Sequence, residues 1–353
     1  MNKIILLIML STLIVGCAPV DLNYQFPTSM AIEYKDDKYI VSVTIPSLEE
    51  NSNKSLSEAP PLVIVRGRGK TLSEALEKTN LKEKGRISGV HIRSIIFHKS
   101  LFEDGNISYK SLSKYFIDSI EFRLNALVYI TEENIDDLLS VENPLTTNAF
   151  NNLSDKTKSQ YYNKYKFPTL MDTFIDYYEN REFYLPEVYI NEDAISTKDE
   201  DKVSSVGIYD INNFCYIKEN IKCIDKEELK GLSFYQEIPS NDIEYGAENE
   251  VVCGLIKRVT IDVKYKQELS MKVIVYLSIS DNLKGDNKEK IEEAFQEQIK
   301  SYIENTYNIC KLYNIDVYNI KDGYRRYKRK EIDMKNMDLN VKVDVILTNS
   351  RLK

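Results

Sequence analysis

The chain has 353 residues, 29% of them charged and 42% hydrophobic, with a formal net charge of −8. That length supports two or three domains with real cores, while 47 basic and 55 acidic residues spread along the chain leave no footprint for a nucleic-acid partner. Five cysteines and two histidines without a C-x-x-C pair give no closed zinc set, so neither a metal nor a cofactor is expected.

The amino-terminal "MNKIILLIMLSTLIVGCAPVD" places one basic residue, Lys3, ahead of an apolar run from Ile4 to Val15 that ends in Gly16 and Cys17. The run is short for a bilayer-spanning helix and fits the core of a secretory signal. Leu13-Ile14-Val15-Gly16 before a cysteine resembles a bacterial lipoprotein box, in which residues 1–16 are removed and Cys17 becomes the lipidated first residue. A diacylglycerol thioether there would bury two acyl chains, enough for stable anchoring. An ordinary secretory signal with an incidental cysteine is the bland alternative.

Behind this segment, Ser29 to Tyr34 and Tyr39 to Ile45 read as a hairpin across the charged turn Lys35-Asp36-Asp37-Lys38. Leu62 to Arg66 follows as a strand. The next letters, "GRGKT", tempt a nucleotide reading, but a phosphate-binding loop needs G-x-x-x-x-G-K-[ST] and Ile64 stands where the first Gly belongs. Thr71 and Glu74 have instead the T-x-x-E spacing of a capping box, opening a helix to about Lys78 with Leu72, Ala75 and Leu76 on its apolar face. Gly67 and Gly69 are then expected to form the sharp turn between strand and helix.

A strand from Val90 to His98, a helix over Ser108 to Asp118 and a strand over Asn125 to Thr131 come next. Thr131 is expected to cap a short helix with Glu132 and Glu133 in its first turn. His91 has no nucleophile or acid partner in the sequence pattern and reads as structural. After a polar break, Leu170, Phe174 and Tyr178 form a helical stripe, followed by an extended, Pro-containing segment. Strands alternating with helices imply a mixed sheet covered by helices.

The charged stretch 191–203 is the linker candidate, and a small middle domain follows it. Cys215 and Cys223, in that part, are either a disulfide of an oxidising exterior or two separate half-buried residues. From Val251, three extended segments lead into a long helix over Lys288 to Tyr313, with Ile291, Phe295, Ile299, Tyr302, Thr306 and Cys310 as its stripe. Leu339 to Leu347 alternates as a final strand. Between helix and strand lies the block Arg325-Arg326-Tyr327-Lys328-Arg329-Lys330, a candidate contact for lipid headgroups or an acidic partner surface. The division expected is a signal over 1–16, an amino-terminal mixed domain over 17–193, a middle domain over 200–248 and a helix-on-sheet domain over 249–353. The fold class is α+β: three mixed domains with antiparallel or mixed sheets packed against helices.

Four regions then resemble the Ger(x)C family, the C-subunit lipoproteins of bacterial spore germinant receptors. They are "GRGKTLSEALEK", "GVHIRSIIFHKSLFEDG", "FPTLMDTFIDYYENREFYLPEVYI" and "IEEAFQEQIKSYIENTYNICKLYNIDVYNIKDGYRR", in collinear order along nearly all of the mature chain. The segment after Asp316 departs from the pattern, lacking the Pro and Trp often found near it. The resemblance implies three mixed domains, a diacylglycerol anchor on Cys17 and attachment to the outer face of the spore inner membrane. It also implies assembly with two integral-membrane germinant receptor subunits and a structural or regulatory, non-enzymatic role. Nutrient recognition is associated with those membrane subunits, so direct nutrient binding by this chain is not expected. A solute-binding lipoprotein is the alternative function; no ligand constellation in the sequence supports it.

Overall fold

The computed structural model describes residues 24–46, 62–82, 86–103, 109–119, 122–140, 165–191, 208–217, 221–236, 243–247, 250–265, 269–279 and 288–348. The signal, Cys17, the polar break over most of its length and the linker beyond Asn191 lie outside them.

The first sheet grows from its central strands. β2 (Ser29–Lys35), β6 (Ser94–His98), β7 (Leu127–Thr131) and β8 (Phe183–Asn191) run parallel as neighbours, after two short strands, β1 (Tyr24–Gln25) and β5 (Arg86–Ile87), that pair only with each other. Parallel strands buried on both faces carry nearly continuous apolar runs. "MAI", "SIIF" and "LVYI" are such runs, and each side of the pleat meets a different core. Met30, Ile32, Ile95, Phe97, Val128 and Ile130 pack under three helices, while Ala31, Ile96, Leu127 and Tyr129 face the opposite layer. The helices are α1 (Leu72–Lys82), α2 (Tyr109–Asp118) and α4 (Leu170–Tyr178); a short α3 (Ile135–Ser140) lies on the other side.

β3 (Lys38–Pro46) and β4 (Leu62–Gly69) close one edge antiparallel, and β9 (Ile208–Ile217) and β10 (Ile221–Asp225) the other, giving the order β10-β9-β8-β7-β6-β2-β3-β4. A second sheet has the order β11-β12-β13-β14, made by Ile243–Ala247, Glu250–Tyr265, Leu269–Ile279 and Leu339–Thr348. Its last strand pairs parallel to β13, so the chain must cross over. The crossover carries α6 (Lys288–Tyr313) and α7 (Ile320–Lys328), following the short α5 (Lys230–Tyr235). Ile291, Phe295, Ile299 and Ile303 of α6 cover Met271, Val273, Val275 and Leu277 of β13 and Val341, Val343 and Val345 of β14, all buried in one apolar cluster.

This is the α+β architecture the sequence pattern predicts, with mixed sheets packed against helices. Residues 200–248 are shared between the two sheets: β9 and β10 extend the first, and β11 edges the second.

Several local expectations are corrected. The strand ahead of "GRGKT" runs on to Gly69, so the two glycines lie within β4 and permit close approach rather than a turn. A Cβ on Gly67 would stand 1.9 Å from the Ala75 carbonyl oxygen, and one on Gly69 2.5 Å from the Ala75 nitrogen. Half of the expected box is present: Thr71 Oγ1 accepts from the Glu74 N–H at 3.1 Å, but the Glu74 carboxylate accepts the N–H of Lys70, one residue before the cap, at 2.7 Å.

Thr131 does not cap the next helix. Its Oγ1 accepts the Glu133 N–H at 3.0 Å while its hydroxyl donates to the Val188 carbonyl across the sheet, but it is Asn134 Oδ1 that accepts from Asp136 N–H at 2.8 Å, and α3 starts at Ile135 with Glu132 and Glu133 outside it. Val90 and His91 belong to a 3-10 turn, and the strand begins only at Ser94. On α4, Leu170 and Phe174 are buried but Tyr178 is exposed. The segments from Val251 are two long strands rather than three, because a register shift between Ile256 and Arg258 bends β12 without ending it. Tyr302 of α6 is half-buried, and Ile303 and Tyr307 take the core positions beside it.

Candidate functional site

The basic turn lies where the two halves of the molecule touch. α4 ends at a left-handed Asn180 with φ 55°, after which Arg181 and Glu182 lead into β8. Arg181 is held in place by Asp176, its Nε donating at 2.8 Å, and by Glu179. Opposite this turn, α6 stops at another left-handed residue, Asn314, and the buried segment Ile315–Tyr318 passes to α7.

Asp316 organises the meeting. Its two carboxylate oxygens accept the N–H groups of Ile320 and Lys321, each at 2.7 Å, satisfying donors that the first turn of α7 leaves open. Its own N–H donates to Glu182 Oε2 at 2.7 Å, and Lys321 Nζ donates to Glu182 Oε1 at 3.1 Å and to the Asn314 carbonyl at 3.0 Å. Only 7% of Asp316 is exposed. Burial pushes its carboxyl up to about 6; the two backbone N–H groups oppose the rise, and the charge of Glu182 adds to it.

Further along α7, Arg325 donates to Asp322 at 2.7 Å and to the Glu179 carbonyl at 3.2 Å. Arg326 pairs with Asp322 at 2.8 Å and with Glu179 at 3.5 Å. A cavity of about 430 Å³ opens between the two turns, lined by Arg181, Glu182, Asp316, Lys321, Arg325 and Asp333 among others. Its charged walls are largely committed to one another, and they present no nucleophile held by a base. The arrangement is suited to holding two parts in register.

The five cations named from sequence therefore separate into two groups. Arg325 and Arg326 are structural, gripping Asp322 and Glu179. Lys328, Arg329 and Lys330 are exposed, and none has an ion pair with a described residue. The residues that sequence reasoning missed are Glu182, Asp316 and Lys321. Glu182 is 134 positions from Asp316, and nothing in local spacing announces their contact.

A second charge cluster, built on the buried Lys99 and Glu187, was also missed. Lys99, at the end of β6, lies between Glu187 at 2.7 Å and Glu132. Burial works against its charge, but the hydrogen bonds and charges of those two carboxylates leave its pKa above the ordinary lysine value. Glu187 also accepts from Asn213 Nδ2 at 2.7 Å, at the bulge in the β8–β9 pairing.

Beside it, Cys215 and Cys223 occupy directly opposed positions on β9 and β10 and form a disulfide, which decides between the two readings left open by the sequence. Glu187 and these two sulfurs are the metal-type grouping among the described residues; the sulfurs are bonded to each other and the carboxylate is paired to Lys99. His91 is exposed, its ring meeting that of Phe26 in a T-shaped contact, and His98 Nδ1 accepts the Ser100 N–H as the cap of a 3-10 turn. His98 Nδ1 also lies 2.8 Å from Ser100 Oγ, a hydroxyl that accepts the Tyr34 N–H at 3.2 Å, so this ring and hydroxyl fasten the turn to β2. Among the described residues no helix is long and apolar enough to cross a membrane.

Comparison with known proteins places this architecture. Residues 23–190 match the spore germination protein N-terminal domain, and residues 215–351 match the spore germination B3/GerAC-like C-terminal domain. No curated protein sequence matches the chain. Among solved structures, the crystal structure of the GerBC protein superposes with a TM-score of 0.55 at 13% identity, covering 91% of this chain and 97% of that one; at that identity the likeness establishes the fold. A two-module spore germination protein is thus defined, its modules over 23–190 and 215–351. The chain belongs to the Ger(x)C family of germinant receptor C subunits.

Proposed function

We propose that the chain is a non-enzymatic, membrane-tethered subunit of a spore germinant receptor. It is anchored through lipidated Cys17 to the outer face of the spore inner membrane and assembles there with two integral-membrane subunits. What carries the reading is that the amino-terminal family module starts at residue 23, just behind the lipoprotein box "LIVGC", and the carboxy-terminal module follows it in order. Its work is to support assembly or signalling in nutrient-triggered germination. In this reading the three-part division into 17–193, 200–248 and 249–353 is kept, with the middle part acting as the connector whose strands enter both sheets.

A solute-binding role receives less support. Ligand pockets are mostly apolar with a few placed polar groups, whereas the junction cavity is lined by charges engaged with one another.

Two measurements test the proposal. Cys17→Ala is expected to abolish metabolic labelling with palmitate and to release the protein from spore membrane fractions; unchanged labelling and retention would remove the anchor. Deletion of the gene, with redundant receptors also removed, is expected to block nutrient germination. Normal germination in that background would remove the receptor role.

A further inference from the structure

We propose that the end of α7 and the turn behind it form a second membrane contact, in which Lys328, Arg329 and Lys330 meet the headgroups of an anionic lipid surface. Tyr327 sits among those headgroups. This deepens the tethered reading, because a cation cluster this small holds weakly alone and becomes effective when an anchor keeps it close to the membrane.

The physical case starts from contrast. The chain carries a net charge of −8, yet five cations fall within six consecutive residues here. Acidic partners consume only two of them, since Asp322 and Glu179 hold Arg325 and Arg326. The remaining three are exposed and unpaired with any described residue, and the acids that follow do not neutralise them all: Glu331 is exposed beside them, while Asp333 accepts the Lys335 N–H.

Tyr327 is 75% exposed, the largest exposure among the big apolar and aromatic side chains described. Its ring stacks on Tyr265 with centroids 5.2 Å apart and planes at 16°, and Tyr265 also meets Tyr324 edge-on at 5.5 Å. An exposed phenol on a packed aromatic base, next to uncompensated cations, combines the interfacial preference of tyrosine with attraction to anionic headgroups. Arg329 caps α7 in the left-handed region at φ 53°, its N–H donating to the Arg325 carbonyl, so the helix stops inside the cluster and Lys330 continues in the turn.

The test uses residues 17–353 carrying Cys17→Ala, so that no acyl chain contributes. Sedimentation with vesicles of phosphatidylglycerol and phosphatidylcholine is expected to capture the protein, whereas phosphatidylcholine vesicles do not, and added salt weakens the capture. The triple variant Lys328→Gln, Arg329→Gln, Lys330→Gln should lose roughly tenfold or more of its partitioning, as expected for three cations near an anionic surface. Tyr327→Ala should lose less. Because Lys328, Arg329 and Lys330 are exposed, the triple variant should keep the unfolding midpoint of the parent, whereas Tyr327→Ala gives up its stack on Tyr265 and should lower it slightly.

Equal capture of the triple variant, or equal capture by phosphatidylcholine alone, overturns the proposal. So does displacement by inorganic phosphate at matched ionic strength where chloride has no effect, which would mark a discrete anion site. If the triple variant still binds vesicles but no longer co-isolates with membrane subunits, the cluster docks on an acidic protein face instead. Failure of the Cys17 anchor in spores would leave the vesicle result standing, so the two readings fail separately.

Discussion

Asp316→Asn should make the protein comparatively more stable as pH rises. The carboxyl of Asp316 moves from an ordinary 3.8 to about 6 in the folded chain, chiefly through burial. A folded pKa above the unfolded one means that protonation favours the fold. The contribution is fully present below about pH 4 and is lost as pH rises through about 6. The rise corresponds to about 3 kcal/mol between the two protonation states at 1.36 kcal/mol per pH unit.

Asparagine resembles the protonated acid: it keeps one carbonyl acceptor for the N–H groups of Ile320 and Lys321 and carries no charge. At pH 4.5, where the parent carboxyl is mostly protonated, the variant should be less stable by about 1 kcal/mol or equal to the parent, a single hydrogen bond being at stake. By pH 7.5 the balance should have moved in favour of the variant by about 2 to 3 kcal/mol. Urea unfolding of both proteins at several pH values checks this, since groups common to both cancel in the difference. A difference independent of pH would refute the burial argument. A difference of opposite slope would mean that the α7 N-terminus and Lys321 hold the carboxylate more strongly than burial opposes it. Asp316→Ala, which removes both acceptors, should be destabilised across the range.

Gly67→Ala is expected to cost more than 2 kcal/mol, because the new Cβ meets the backbone of α1 at Ala75 rather than a side chain that can move; a cost under about 0.5 kcal/mol would contradict the close approach. Thr71→Ala should cost about 1 kcal/mol through loss of the Glu74 N–H acceptor, while Lys70→Ala should be silent and ATP should not bind; saturable, Lys70-dependent ATP binding in a filter assay would restore the nucleotide reading. Replacing Cys215 and Cys223 together by Ala should lower stability by about 2 to 3 kcal/mol, the loop-closure value for a bridge across so few residues, as read from urea midpoints. In the unreduced folded protein Cys253 should react with a maleimide and Cys310 should not, because Cys253 is exposed whereas Cys310 is buried with its thiol pushed well above the ordinary range; labelling of Cys310 before unfolding would contradict that burial.

Legibility in the sequence followed the range of the interactions. The β2–β3 hairpin and α6 could be read because alternation and a helical stripe are local patterns, repeated over enough residues to be unambiguous. The Thr71 cap was legible for the same reason, and Thr169, which forms a full box with Asp172, offered the same T-x-x-[DE] signal without being noticed. Gly67 and Gly69 misled because a glycine announces only a missing side chain. Whether the gap serves a turn or a helix pressed against a strand depends on α1, which packs back on β4. Thr131 Oγ1 does accept the Glu133 N–H, but the helix starts only after Asn134, and the Thr131 hydroxyl also donates to the Val188 carbonyl, 57 positions away. The placement of β9 and β10 on the first sheet, the Lys99 cluster and the Glu182–Asp316 contact are all non-local, and no spacing rule reaches them.

The ionic junction has a different task from the core beneath it. One buried cluster contains Tyr129 and Phe214 of the first sheet together with Phe234, Phe295 and Tyr318 of the second part, so apolar burial already holds the halves together. Arg325 and Arg326 are half-exposed or more, and pairs of that kind contribute about 0 to 1 kcal/mol each. Their value is directional. With Asp316 fixed to Glu182 at one end of α7 and Glu179 gripped further along, the helix has its rotation and tilt set by the α4–β8 turn of the first sheet. Lys328, Arg329 and Lys330, which have no ion pair with a described residue, sit at and just beyond the far end of that same helix. A surface that pulls on Lys328, Arg329 and Lys330 therefore pulls on a lever bonded to the amino-terminal module twice, through Arg325 and Arg326 to Glu179 and, at its other end, through Asp316 and Lys321 to Glu182. Glu182→Gln should consequently leave vesicle capture intact while loosening α7 from the first sheet. Faster backbone hydrogen exchange in residues 316–328, with binding unchanged, is the expected result; loss of capture along with the exchange change would show that the junction itself builds the lipid-facing surface.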